Sequence, residues 1–163
     1  CSRKPSVAQN AGILAYQDDD NFVKLVYRAG GRRGMGGFGG FGGQGSGVQP
    51  GSVELVIEKD GYQTSVASLS MADIIKDNNT LVLRLDKKGT IFTASCSSDG
   101  KNFKAIGTAD IMLKDIKAGM IACDGVAPAR MGNFPGMQQQ TSQPETPFEV
   151  AYDYFHITNK GLK

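Results

Sequence analysis

The chain has 163 residues, 40% of them apolar and 21% charged, which suffices for a hydrophobic core in one domain. A net charge of +2 is too small for a nucleic-acid groove, and no run of about 18 apolar residues is present to span a membrane. The three cysteines, Cys1, Cys96 and Cys123, are far apart, and the single histidine, His156, leaves a zinc cluster short of ligands.

The charged start "CSRKPSVAQN" lacks the apolar stretch of a signal peptide. A cysteine in first position also fits a lipid-modified start, an alternative that nothing else in the sequence supports. From there the dominant signal is a period of two. "AGILAYQ" and "FVKLVYR" are separated by "DDDN", Asp18 to Asn21. In the second run Phe22, Lys24, Val26 and Arg28 share one face, and Val23, Leu25 and Tyr27 the other. "SVELVIEK" alternates in the same way, with Val53, Leu55 and Ile57 against Glu54 and Glu58. Asp60-Gly61 then turns the chain into "YQTSVASL". Such alternation marks half-buried strands, and Asp-Gly between apolar runs marks a hairpin, because both residues tolerate positive φ.

"SMADIIKDN", Ser70 to Asn78, reads as a short helix capped by Ser70, with Asp73 in its first turn. Strand signals resume with "TLVLRLDK", where Leu81, Leu83 and Leu85 oppose Arg84 and Asp86. "TIFTASC", "FKAIGTA", "AGMIAC" and "FEVAYDYFHI" complete nine strand candidates. Most are joined as consecutive hairpins, so the expected fold is all-β: an antiparallel two-sheet β-sandwich of jelly-roll type. Cys96 and Cys123 fall in strands and read as buried reduced thiols rather than a disulfide.

Two segments carry no periodicity. Residues 30–51 hold twelve glycines, with Phe38, Phe41 and the pair Arg32-Arg33. Such a run buries too little to offset its ordering entropy, and it lacks the pattern of a phosphate loop. One arginine pair is thin support for an RNA-binding arm. Residues 124–147 are rich in Pro, Gln and Met. Both read as long loops inside one domain spanning residues 1–163. They are expected at one end of the sandwich, shaping a partner or substrate contact through Phe38, Phe41, Met131, Phe134 and Met137.

Several runs in order, "AGILAYQDDDNFVKLVYR", "VELVIEKDGY", "LVLRLDKKGTIFTASCSSDGKNFKAIG", "AGMIAC" and "FEVAYDYFHIT", resemble one family. It is the concanavalin-A-like, laminin-G-like β-sandwich found as the C-terminal module of family 43 glycoside hydrolases of β-xylosidase type. The resemblance covers most of the chain outside the two inserts. In that family two or more strands precede the "GILAYQDDDN" hairpin, so the resemblance implies that early strands lie upstream of Cys1. It also implies a non-catalytic module that binds a polysaccharide or oligosaccharide, or buttresses an adjacent catalytic domain. A secreted, periplasmic or cell-surface location follows from the same likeness, with no required cofactor and no nucleic-acid partner.

Each candidate site has a plainer reading beside it. Sandwich hydrolases place paired carboxylates along one strand. Here Glu145, Glu149 and Asp153 share a spacing of four, but Pro147 interrupts the strand, leaving Glu149 and Asp153 as the alternative catalytic pair. Hard cations want several carboxylate and carbonyl oxygens. "QDDDN" has the composition, although the family resemblance explains it as a hairpin turn, and "DNN" (77–79) and "SSDG" (97–100) have the same plain reading. Modules resembling this one often hold a structural calcium near the chain ends, which makes Asp153 the metal candidate. Sugar recognition needs aromatic faces and polar companions. Tyr16, Tyr27, Tyr62, Tyr152 and Tyr154 are the aromatic candidates. The expected ligand-binding set is Tyr16, Lys24, Arg28, Arg84 and Tyr152, against the alternative of an ordinary solvated sheet face. A third reading is a structural or protein-interaction module using the Phe/Met loops.

Overall fold

The computed structural model describes residues 9–29, 51–74, 80–124 and 150–158. Eight strands form two antiparallel sheets: β1 (Gln9–Asp18), β2 (Asn21–Arg28), β3 (Ser52–Lys59), β4 (Tyr62–Ser70), β5 (Val82–Lys88), β6 (Ile91–Ser97), β7 (Lys104–Asp110) and β8 (Lys117–Asp124). The larger sheet has the order β4-β3-β2-β1-β8, and the smaller has the order β5-β6-β7. This is the expected all-β two-sheet sandwich.

The alternation read from the sequence decides which side chains meet between the sheets. Ala15, Val23, Leu25, Val53 and Leu55 come from the larger sheet. Phe92, Ala94 and Ala109 face them from the smaller, followed by Ile111 and Leu113. Leu25, Leu55 and Val53 are fully covered, and burial of each such side chain stabilises the fold by roughly 1.5–3 kcal/mol. Leu81, Leu83 and Leu85 pack against the edge of this cluster. The layers approach closely at Gly107, where an added Cβ would lie 2.5 Å from the Ala67 methyl carbon.

The turns follow their residues. At Asp60-Gly61 both φ angles are positive, 53° and 77°, and Lys59 pairs with Tyr62. This is the mirror-type two-residue turn that matches the twist of a hairpin. It braces the neighbouring hairpin: the Gly61 amide donates to the Asp20 carbonyl at 3.1 Å, and the Asp60 amide to Asn21 Oδ1 at 3.2 Å. β2 and β3 pair from Phe22↔Glu58 to Arg28↔Ser52, so the glycine-rich stretch connects two adjacent strands of one sheet.

One expectation needs correction, in the closing run. The segment from Ser70 forms the expected short helical turn, a 3-10 turn over Met71–Asp73, with Ser70 Oγ accepting from the Ala72 amide. The Met71 amide donates to the Gly51 carbonyl at 2.7 Å, which ties the segment to the start of β3. Residues 75–79 lie outside the described set. The run ending "EVAYDYFHI" is not a strand over residues 150–158, and residues 151–158 are all exposed. Its alternation gives it the capacity to pair, but among the described residues β8 pairs with β1 alone. Cys96 is buried and Cys123 half-buried, both as free thiols, and burial pushes the Cys96 thiol above its usual value.

Candidate functional site

The outer face of the larger sheet is set by register. Asn10 pairs with Arg28 across β1 and β2. Val26 pairs with Glu54 and Lys24 with Val56 across β2 and β3. Glu58 pairs with Gln63 across β3 and β4. These pairings bring Asn10, Lys24, Val26, Arg28, Glu54, Val56 and Gln63 around one shallow depression of about 110 Å³. Val26 and Val56 point away from the core yet are buried, at 1% and 5% exposure. The long stems of neighbouring charged residues shelter apolar floor positions of this kind.

The polar groups above that floor are incompletely matched. Arg28 Nη1 lies 3.6 Å from Glu54 Oε2, longer than the 2.7–2.9 Å or so of a strong charge-assisted bond. Glu54 Oε1 also accepts from Ser52 Oγ at 2.9 Å. Lys24 holds its ammonium 5.5 Å from the Phe22 ring centroid. Gln63 donates its amide to Glu58 Oε2 at 3.1 Å.

Of the five residues expected to bind ligand, the structure brings Lys24 and Arg28 together. Tyr16 lies on the same face, paired with Phe22. Its hydroxyl donates to Asp19 Oδ1 at 2.6 Å, and that bond raises the phenol's pKa. Tyr152 spends its hydroxyl on the sheet backbone. The oxygen accepts from the Gly12 amide at 3.1 Å, and its proton faces the carbonyls of Ile121 at 2.6 Å and Gly12 at 3.2 Å. Burial pushes this phenol above its usual value. Tyr152 thereby ties the closing segment to β1 and β8.

Arg84 belongs elsewhere. It sits on β5 of the smaller sheet, with Leu83 and Leu85 toward the core, so it faces the opposite side of the sandwich. Its Nε lies 2.7 Å from Asp86 Oδ2, and its guanidinium stands 5.5 Å from the Phe103 ring centroid. Of the other aromatics, Tyr62 and Tyr154 are strongly exposed, at 80% and 68%. Tyr27 is half-buried against Gly51, and burial raises its pKa.

The remaining candidates resolve individually. Asp18 accepts from Gln17 Nε2, the Asp20 amide and Asn21 Nδ2. The Asn21 bond first, and then Gln17, hold its carboxyl below the usual range. The "DDDN" segment is a turn satisfied by N–H donors. Asp99 is similar: it accepts from the Asn102 and Lys101 amides, Ser97 Oγ and Asn102 Nδ2, led by the Asn102 amide. Asp153 is exposed outside any strand. Among the described residues no group of three or more His, Cys, Asp or Glu is placed to hold a metal, so Asp153 has no companions there for calcium. Glu149, its catalytic partner in the alternative reading, lies outside the described residues. So do Glu145, Asp77 to Asn79, Phe38, Phe41, Met131, Phe134 and Met137.

Asn10, Glu54, Val56 and Gln63 were not singled out by periodicity as site residues. The available signal was Glu54 on the outward face of "SVELVIEK", beside a strand carrying Lys24 and Arg28.

No family model matches the sequence, and no curated protein matches it. Among solved structures, the GH43 protein BlXynB from Bacillus licheniformis superposes with a TM-score of 0.56 at 15% identity, over 78% of this chain and 23% of that one. A mutant of the same protein gives 0.54 at 14%, over 76% and 22%. A functionally unknown protein from Saccharomyces cerevisiae gives 0.52 at 18%, over 75% and 55%. At these identities the likeness is one of fold. The chain is a β-sandwich resembling one part of the GH43 protein, and it spans less than a quarter of that protein's length.

Proposed function

We propose that this chain is a non-catalytic, carbohydrate-binding β-sandwich module, and that the outer face of the larger sheet is its ligand face. The observation that carries the reading is the depression over Val26 and Val56, where Arg28, Lys24, Glu54, Asn10 and Gln63 converge from four strands. Sugar hydroxyls are donors and acceptors at once, and this set offers both: guanidinium, ammonium and amide N–H groups beside carboxylate and amide oxygens. The basin is shallow, so affinity is expected between roughly 10 μM and 1 mM. The fold likeness to one part of a longer GH43 chain supports a role beside a catalytic domain. The same reading carries a secreted, periplasmic or cell-surface location.

The test is a panel of neutral and acidic oligosaccharides titrated into isotopically labelled protein. Amide shifts at Lys24, Arg28, Glu54 and Gln63 are expected. Shifts confined to the face of Arg84, or none with any sugar, would overturn the assignment.

A further inference from the structure

We infer that the depression on the larger sheet selects acidic saccharides, with Lys24 and Arg28 receiving the anionic group and Glu54 a neighbouring hydroxyl. The inference rests on the carbohydrate reading above and names its substrate class.

Two cations, Lys24 and Arg28, and one carboxylate, Glu54, line the depression. Glu58 lies on the same face, but it is not part of the lining, and its carboxylate accepts from Gln63. Among the described residues Lys24 has no ion-pair partner; its ammonium only stands over Phe22. Arg28 meets Glu54 at 3.6 Å, and its side chain is 45% exposed. A guanidinium has five N–H donors in a rigid fork, so this single long contact leaves most of them for a ligand. The depression therefore has one positive charge in excess.

Glu54 decides what kind of anion fits. A carboxylate beside the two cations repels a dense polyanion, whose successive charges would have to pass it. It suits a ligand that carries one anionic group and donates a hydroxyl nearby. A uronic acid has that layout, and so does a singly sulfated sugar. Asn10 and Gln63 add uncharged amides to the lining of the same depression, as a ring with several hydroxyls requires.

The experiment is calorimetric titration with four probes: an acidic trimer carrying a single uronic acid, the same trimer methyl-esterified at that acid, a singly sulfated trisaccharide, and acetate. The expected result is acid-trimer binding about tenfold tighter than the ester, since a hydrogen bond to a charged group is worth that much. That advantage should shrink as salt rises from about 20 mM to about 500 mM. Lys24→Gln should remove the advantage, so that the variant binds acid trimer and ester with equal affinity, while the melting temperature stays unchanged. Glu54→Gln should act in the opposite direction, widening the acid trimer's advantage over the ester, and it keeps the idea testable if Lys24→Gln fails to fold. Tight binding of the sulfated sugar alone would also support an acidic ligand and would identify its anion as sulfate. Equal affinity for trimer and ester would overturn the acidic preference but leave the carbohydrate reading standing. Acetate binding as tightly as the trimer would reduce the site to a simple anion contact and overturn the inference. Absence of binding by every sugar would remove the carbohydrate reading, and the inference with it.

Discussion

Arg28 and Arg84 are matched in exposure, 45% and 46% of their side chains, yet they sit in opposite situations. Arg84 is closed locally. Asp86, two residues along the same strand, takes its Nε at 2.7 Å and its Nη2 at 3.1 Å. The loop between β6 and β7 is closed in the same way, with Asp99 collecting donors from Ser97, Lys101 and Asn102. On the larger sheet Arg28 finds its partner on another strand, and it reaches Glu54 only diagonally. Charges satisfied by sequence neighbours have little left for a ligand, whereas charges set by cross-strand register keep capacity. Exposure alone does not separate the two cases.

The sharpest way to break this comparison is to disturb the register. A Cβ at Gly12 would run into the Leu25 carbonyl and lie 2.7 Å from Val26 Cα. Gly12→Ala is therefore expected to cost roughly 3 kcal/mol in urea unfolding and to scatter the Arg28 side of the ligand face. An unchanged denaturation midpoint would show that β1 and β2 do not depend on that close approach. Next in size, Arg28→Ala should weaken sugar binding about tenfold, while Arg84→Ala leaves it unchanged within about twofold; equal losses would erase the distinction between the faces.

Tyr152→Phe removes a hydroxyl bonded to two strands and should lower stability by about 1 kcal/mol, read as a lower melting temperature and faster proteolysis near residue 152. The smallest effect concerns Asp99, whose carboxyl is held below its usual range. A folded-state pKa below the unfolded value contributes stability above the ordinary carboxylate pKa of about 4 and loses it as pH falls toward the folded value. Asp99→Ala should thus be less stable than the parent at neutral pH, with the gap closing in acid. A gap that widens in acid would contradict the hydrogen bonding assigned to this loop.

How much of this was legible follows from what periodicity encodes. Alternation in "FVKLVYR" and "SVELVIEK" predicts which side chains face inward, and Val23, Leu25, Val53 and Leu55 do so. It predicts nothing about which strands are neighbours. Arg84 and Arg28 both alternate outward and look equivalent in the sequence, although they belong to different sheets. Asn10 and Gln63 became visible as site residues only once four strands were in register. The closing aromatic run shows the same limit: its pattern is strand-like, but a strand also needs a partner edge, and Tyr152 fastens this segment by a side chain instead.

Gly107 and Ala67 place methyl against bare backbone where the two layers touch. Sliding one layer along the other by a residue pair would carry Ala109, also on the inward side of β7, toward that gap and add a carbon where none fits. The contact works as a mechanical key. It indexes the layers against each other, so a larger side chain at either position would push the two sheets apart or out of line.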